Sequence, residues 1–377
     1  MDQTGVIAVR KKVLLIATVQ SHIGQFHKPL MRLLKEEGWE IHVAARNNLA
    51  EKNGLELEYP DKVFDIPFYR SPIDPRNIKA YFALKRLLRN THYDVIHCNT
   101  PVGGALGRLA ARPYRKQNTK VFYTAHGFHF YKSAPRMNWL LYYPIEKALS
   151  RCTDKLISIT EEDYALASAK FHCPVFHQHG VGANSEKNKP ISSDEMHKRR
   201  EQAGLSGPVF VNVGELLPNK NQKTAIAVMK ALVNEYPDSM LYIAGNGPEK
   251  KNLENLIASF GLTRNISLLG YTTHLDHYLQ ISDLMIACSY REGLPLNVME
   301  AMLCGKPVVA SHNRGHDELI QEGVNGFLVA PDDVQAYAER IRCILKGNTD
   351  YSQAALESVA PYTDQSVRIE LKALYDI

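Results

Sequence analysis

Glu292 and Glu300, in the stretch SYREGLPLNVMEAMLCGKPVVA from Ser289 to Ala310, are the carboxylates whose spacing could do chemistry. Pro295 suits a first helical position, where its missing N–H costs nothing, and Gly305-Lys306-Pro307 reads as a helix stop. The spacing therefore predicts a helix from Pro295 to Cys304, between the apolar runs Leu284–Ala287 and Val308–Ala310. Glu292 then lies in the turn before that helix. Glu300 lies one and a half turns along it, on a face not shared by Val298, Met299, Met302 and Leu303. Free N–H groups at the helix start, approached through Gly293 and Leu294, form a site for an anionic or hydroxyl-rich ligand. A carboxylate at each end could hold two sets of hydroxyls on one extended molecule, and a nucleotide sugar has that layout: sugar, diphosphate, ribose. A solvated loop charge and a helix-surface charge would give the same pair of letters.

Other residues of chemical interest also fall at the ends of apolar runs. His126 follows Val121–Thr124 and precedes Gly127, where a side chain projects from the carboxyl edge of a parallel sheet, the usual ligand location in open α/β folds. Lys220 lies in the loop after the run Val209–Val213 and Gly214. Gly103 and Gly104 follow Val95–Cys98 as an amide-rich turn. The first such turn carries His22, Gly24 and His27 but only one glycine, so it lacks G-x-G-x-x-G and is not a standard NAD site. Gly245, Asn246 and Gly247 close another run as a turn. His274, Asp276 and His277 have loose metal-like spacing but no further ligand nearby, so they are not read as a metal site. No D-x-D occurs, and a metal bridging a diphosphate is not expected.

These positions need a scaffold, and the apolar runs supply it. A chain of 377 residues exceeds what one core supports, so two domains are expected. Runs at Val13–Ala17, Ile41–Ala45, Val95–Cys98, Val121–Thr124 and Leu156–Ile159 alternate with helical stretches. A second series follows at Val209–Val213, Leu241–Ala244, Ile266–Leu269, Leu284–Ala287, Val308–Ala310 and Phe327–Val329. Continuous apolar strands between amphipathic helices mean parallel sheets covered on both faces, here twice. Residues 1–10 read as a poorly specified extension.

The flanks of the Glu, seven residues, Glu pattern resemble the family 4 retaining glycosyltransferases. RSPIDPRN (Arg70–Asn77), HCNTPVGG (His97–Gly104), the segment from Val121 to Thr160 and NRGHDELI (Asn313–Ile320) resemble the EpsD-type exopolysaccharide enzymes within that family. The resemblance implies an α/β GT-B fold, two doubly wound Rossmann-like domains facing across a cleft. The boundaries expected are 1–182 for the acceptor-side domain, 183–207 for a linker, 208–358 for the nucleotide-sugar domain and 359–377 for a helix crossing back. It also implies roles. Glu292 would hold donor-sugar hydroxyls and Glu300 the ribose, Lys220 the diphosphate, and His126 would abut donor sugar and acceptor. Gly214, Gly245, Asn246, Gly247 and Tyr271 would line the nucleotide side, and Gly24 would border the diphosphate. His22, Gly103, Gly104 and His129 fall on the acceptor side. Glu215 stands where the family commonly has Arg, a departure shared by the EpsD-type form.

The function implied is transfer from a UDP-sugar to a polyprenyl-diphosphate-linked saccharide in exopolysaccharide, capsule or biofilm synthesis, with no cofactor beyond the donor. An epimerase of UDP-N-acetylglucosamine, or a non-catalytic nucleotide-sugar-binding partner subunit, would share the fold; release of epimerised sugar without acceptor would mark the former. Residues 1–205 carry 31 Lys and Arg against 20 Asp and Glu, and residues 206–377 carry 14 against 20. The basic half points to an anionic partner. No RNA motif, zinc spacing or helix-turn-helix accompanies it, so nucleic acid is not expected. Arg76–Asn90 mixes apolar residues with Lys79, Lys85, Arg86 and Arg89, either a surface helix or a face for an anionic bilayer. Six scattered cysteines without C-x-x-C and the lack of a signal-peptide pattern lead to a cytoplasmic expectation, peripheral on the inner face of the membrane.

Overall fold

The computed structural model describes residues 10–51, 55–132, 134–347 and 349–377. Of the N-terminal extension expected over 1–10, only Arg10 falls among them, donating to the carbonyls of Gly38 and Trp39 at 2.9 and 3.1 Å. The chain divides into two compact units, residues 1–181 with 367–377 and residues 182–366.

The first unit is built on seven parallel strands, β1 (Lys12–Val19), β2 (Glu40–Arg46), β3 (Lys62–Asp65), β4 (Val95–Asn99), β5 (Lys120–Ala125), β6 (Lys155–Ser158) and β7 (Val175–His177), in the order β3-β2-β1-β4-β5-β6-β7. Alternate residues of β1 feed two cores on opposite faces: Leu14 and Ile16 pack with Ile96 and Tyr123, Val13 and Leu15 with Leu33 and Ile41. Burial on both faces is why β1 reads as an unbroken apolar run. The last helix, Asp364–Tyr375, places Val367, Leu371, Leu374 and Tyr375 in the second of these cores beside Trp39 and Phe122.

The second unit has six parallel strands, β8 (Val209–Val213), β9 (Met240–Ala244), β10 (Ile266–Gly270), β11 (Leu284–Ala287), β12 (Val308–Ser311) and β13 (Gly326–Val329), ordered β10-β9-β8-β11-β12-β13. Phe210, Leu284 and Ile286 face one core, Val211, Met285 and Ala287 the other. In each unit the strand order reverses once, between β1 and β4 and between β8 and β11. Loops leaving such neighbours diverge and open a crevice at the carboxyl edge of the sheet.

Residues 183–207 fall in the second unit. Helix Ser193–Gln202, capped by the Ser192 hydroxyl on the Glu195 amide at 3.2 Å, belongs to the second unit. Arg199 donates to Gln280 Oε1 at 2.8 Å, and Arg200 donates to the Ile281 carbonyl at 2.7 Å and pairs with Asp283 at 2.9 Å.

Candidate functional site

At the strand-order reversal of the second unit, the loop after β8 and the loop after β11 are joined to each other. Tyr290 N–H donates to the Asn219 carbonyl at 2.9 Å, and Asn219 Nδ2 donates to the Arg291 carbonyl at 3.0 Å. This pairing brings Lys220 Nζ to 2.5 Å from Glu292 Oε1, with the two side chains 22% and 12% exposed. The two residues, read separately in the sequence, form one ion pair.

The predicted helix is Leu296–Leu303, one residue shorter at each end than expected. Pro295 has ψ of 109° and is the cap rather than the first helical residue, and Cys304 is the C-terminal cap before Gly305 with φ of 70°. Among the described residues the amides of Gly293 and Leu294 have no intramolecular acceptor, so they join the open helix start. The chain there is held from outside. Asn297 Nδ2 donates to the Val213 carbonyl at 2.6 Å, and Gly293's carbonyl lies where a Cβ on Gly315 would come within 2.0 Å. Asn313, which caps helix Arg314–Leu319 on the amides of Gly315 and His316, donates to the Ser289 carbonyl at 2.9 Å. A cation, a carboxylate and two open amides thus converge on one turn.

Glu300 lies further along the helix and is half-buried, not a helix-surface charge. Burial raises its carboxyl to about 7; Lys187 opposes the shift and Asp276 adds to it. Lys187 donates to the Thr273 carbonyl at 2.5 Å and lies 3.5 Å from Asp276, so the loop after β10, whose Tyr271 is exposed, is tied to the Glu300 neighbourhood. A carboxyl raised from 4.5 in the folded state favours folding when protonated. That stability is present below 4.5 and lost as pH rises through about 7. The shift corresponds to about 3 kcal/mol, or about 2 kcal/mol after discounting for partial exposure. Glu300→Gln is therefore expected to gain about 2 kcal/mol on the wild type between pH 4.5 and pH 8. Urea denaturation of both proteins at the two pH values checks this, and a pH-independent difference would refute the buried carboxyl.

Gly214, Gly245 and Gly247 serve close backbone approach. A Cβ at Gly245 would sit 1.9 Å from the Gly214 carbonyl oxygen and one at Gly247 would sit 2.3 Å from that of Leu216; Gly245 also has φ of 147°. Asn246 accepts the Leu216 amide at 2.9 Å through its carbonyl. Glu215 is exposed, and its backbone carbonyl accepts from Gln222 Nε2 at 3.1 Å.

In the first unit the histidines gather at the corresponding reversal. His22 lies in helix Gln20–Phe26, and His27 is the break between that helix and Lys28–Glu36. His126 follows β5, and its ring centroid is 4.5 Å from His22 and 5.3 Å from His27. His97, on β4, packs 5.9 Å from His27 and bonds Tyr375 Oη and Thr124 Oγ1, both at 2.7 Å. Burial lowers all four. Proximity to His126 deepens the effect at the other three, and the rings of His97 and His126 stand at about 3 and about 4. All four are uncharged at neutral pH. Thr100, which joins β4 to the next helix with φ of 63°, bonds Thr18 Oγ1 at 2.7 Å and accepts its amide at 3.0 Å. A β-branched residue in the left-handed region is strained, and such strain gathers at functional sites.

Two sequence expectations need correcting. Gly24 lies inside helix Gln20–Phe26, not in a loop, because β1 passes directly into helix. Gly103 and Gly104 lie inside helix Pro101–Ala111 rather than in an amide-rich turn. Their amides face Thr18 Oγ1 and the Thr100 carbonyl, and Cβ atoms there would come within 2.8 Å of Ala17 backbone and 2.5 Å of the Tyr123 ring. They are glycines so that the helix can approach the sheet. The His129 ring stacks on Tyr142 at 4.7 Å. Sequence reasoning passed over His97, Asn99 and Thr100, although all three stand in the quoted HCNTPVGG stretch.

Two doubly wound parallel sheets with polar groups gathered at each reversal have the architecture of the GT-B fold. Residues 193–358 match the family model for glycosyl transferases group 1, and residues 12–160 match that for glycosyl transferase 4-like domains. The chain is 43% identical over 335 residues, 88% of its length and 86% of the relative's, to EpsD of Bacillus subtilis (strain 168), provisionally described as a glycosyltransferase. The chain belongs to this glycosyltransferase family and is related to its EpsD-like exopolysaccharide enzymes. It is 27% identical over 315 residues, 81% of this chain and 80% of the other, to the UDP-Gal:alpha-D-GlcNAc-diphosphoundecaprenol alpha-1,3-galactosyltransferase of Escherichia coli. Among solved structures, Anabaena HepE in complex with UDP and glucose shares the fold with a TM-score of 0.74 at 21% identity, over 98% of this chain and all of that one.

Proposed function

We propose that the protein moves a hexose from a UDP-sugar to a polyprenyl-diphosphate-linked saccharide, with retention at the anomeric carbon, in exopolysaccharide or capsule synthesis. The observation that carries this reading is the Lys220–Glu292 pair beside the open amides of Gly293 and Leu294. An arriving diphosphate takes Lys220 and the amides, and Glu292, released from its partner, accepts hydroxyls of the donor sugar. Glu300 receives the ribose, and Gly214, Gly245, Asn246, Gly247 and Tyr271 frame the nucleotide. Uncharged His126 meets sugar hydroxyls. As the bond from the anomeric carbon to the phosphate oxygen breaks, charge grows on the leaving diphosphate, where fixed donors stabilise it most. The acceptor oxygen forms its bond on the same face, and its proton passes to the departing phosphate. No metal or other cofactor is assigned to the diphosphate. The UDP-galactose donor and diphosphoundecaprenol-linked acceptor of the Escherichia coli relative support this substrate class. Calorimetry with UDP and GDP, followed by transfer from UDP-sugars to a polyprenyl-diphosphate-linked sugar, tests it. Failure to bind UDP, or epimerised sugar without transfer, would overturn it.

We infer also that the first unit meets the bilayer holding such an acceptor. Among the described residues no helix is long and apolar enough to cross a membrane. Yet helix Asn77–Asn90 exposes Ile78 and Phe82, and helix Arg136–Leu149 exposes Met137, Leu140, Leu141 and Ile145, with Lys79, Arg86, Arg89 and Arg136 exposed alongside. Each such cation near an anionic surface contributes about 1 kcal/mol. The protein is expected to co-sediment with vesicles containing anionic lipid and to lose at least tenfold in affinity in Phe82→Ser/Leu140→Ser or in high salt. Equal binding to neutral vesicles would refute the electrostatic contribution.

A further inference from the structure

Three of the first unit's histidines have an arrangement that sugar binding does not require. His22, His27 and His126 each offer a ring nitrogen, and these nitrogens all lie within 4.8 Å of one another. Among the described residues, Nε2 of His22 and Nε2 of His27 are buried with no hydrogen-bond partner, and His27 as a residue is 5% exposed. Leaving one such atom unpaired costs roughly 1–3 kcal/mol, so two in contact with a third imidazole call for a ligand that accepts lone pairs. The rings around them are fixed from behind. Asn99 Oδ1 is 3.4 Å from His126 Nε2, and His97, against His27, is held by Tyr375 and Thr124. Outer partners of that kind orient metal-binding imidazoles. A small cavity lined by His27, His97, Thr124, His126 and Gln178 adjoins the cluster.

We propose that His22, His27 and His126 form a three-histidine site for a zinc-class divalent ion, with a fourth position open to water or an anion. Neutral imidazoles suit zinc, cobalt or nickel and not magnesium or calcium, which require oxygen ligands. With metal–nitrogen bonds of about 2.0–2.1 Å, tetrahedral ligands stand ~3.4 Å apart. The three nitrogens must therefore draw together by on the order of 1 Å, which His27, at a helix break, and half-buried His22 can do by side-chain rotation. All three ligands belong to the first unit; with the ion bound, a sugar hydroxyl would meet its open position rather than the His126 ring, and ion binding is measured without reference to transfer.

The test uses the untagged full-length protein, stripped with chelator, desalted and titrated with cobalt(II). The expected result is one ion per chain with the intense visible bands of four-coordinate cobalt, displaced by zinc(II). His22→Gln and His27→Gln should each weaken binding at least tenfold, while His274→Gln/His277→Gln should leave it unchanged. Should His27→Gln fail to fold, His22→Gln carries the comparison, with thermal melting as the check on its fold. Absence of stoichiometric binding, six-coordinate spectra only, or affinity that follows His274 and His277 instead would overturn the site.

Discussion

Replacing Lys220 with Met is expected to lower kcat for sugar transfer by about 10²–10³-fold, the cost of removing one fixed donor from a developing anion. The charge on the diphosphate is greater in the transition state than in the bound donor, so the loss should fall on kcat more than on KM. Glu292→Gln should cost a similar amount for a different reason. The amide can still touch a sugar hydroxyl, but it accepts more weakly than the carboxylate that Glu292 presents once the diphosphate has drawn Lys220 away, and in the free protein the lysine loses its partner at 2.5 Å. Because the two side chains act as a unit, the double variant should be far less impaired than the product of the single losses. Steady-state kinetics of the three variants on a UDP-sugar, with thermal melting to exclude unfolding, decides the matter. Less than tenfold loss in both single variants, or full additivity, would remove the pair from the reaction.

That pair also shows where sequence reading ends. Eleven strands were legible because buried parallel strands are continuous apolar runs; β3 and β7 were not, because these short edge strands bury no run of residues in a core. Glu292 and Lys220 could be picked out singly by residue type and position at strand ends. Their contact spans 72 residues and depends on β8 and β11 being neighbours, a lateral order that runs of apolar letters do not encode. The same holds for the histidines. His22, His27 and His126 come from the ends of β1 and β5, with β4 between them, and only strand order brings the rings together. Gly103 and Gly104 mislead for the opposite reason: a glycine that lets a helix approach a sheet is spelled like one that frees an amide. Thr100 carries no local signal, since nothing in its type foretells a φ of 63°.

The helix that begins after Thr100 is anchored by an ion pair, and its removal should have the largest effect on stability. Arg108 has no exposed side-chain surface. Its Nη2 donates to Glu146 Oε2 at 2.8 Å, its Nε donates to the Gly104 carbonyl at 2.9 Å, and its guanidinium lies 3.7 Å from the centroid of Tyr123, the ring that excludes a Cβ at Gly104. Glu146→Ala leaves that cation buried without its counter-charge. The expected cost is about 3–5 kcal/mol, equivalent to roughly 10 °C in the melting of a unit of this size. Glu146→Gln, which keeps an oxygen acceptor, should lose less. Arg108→Met/Glu146→Leu removes both charges at similar volume and should recover most of the loss, because desolvating the pair consumes much of its attraction. Chemical denaturation of the three variants, followed through the first unit, provides the comparison. If Glu146→Ala costs under 1 kcal/mol, the pair is an incidental contact. If the apolar double variant is as unstable as Glu146→Ala, the loss comes from packing, and the charge assignment is wrong.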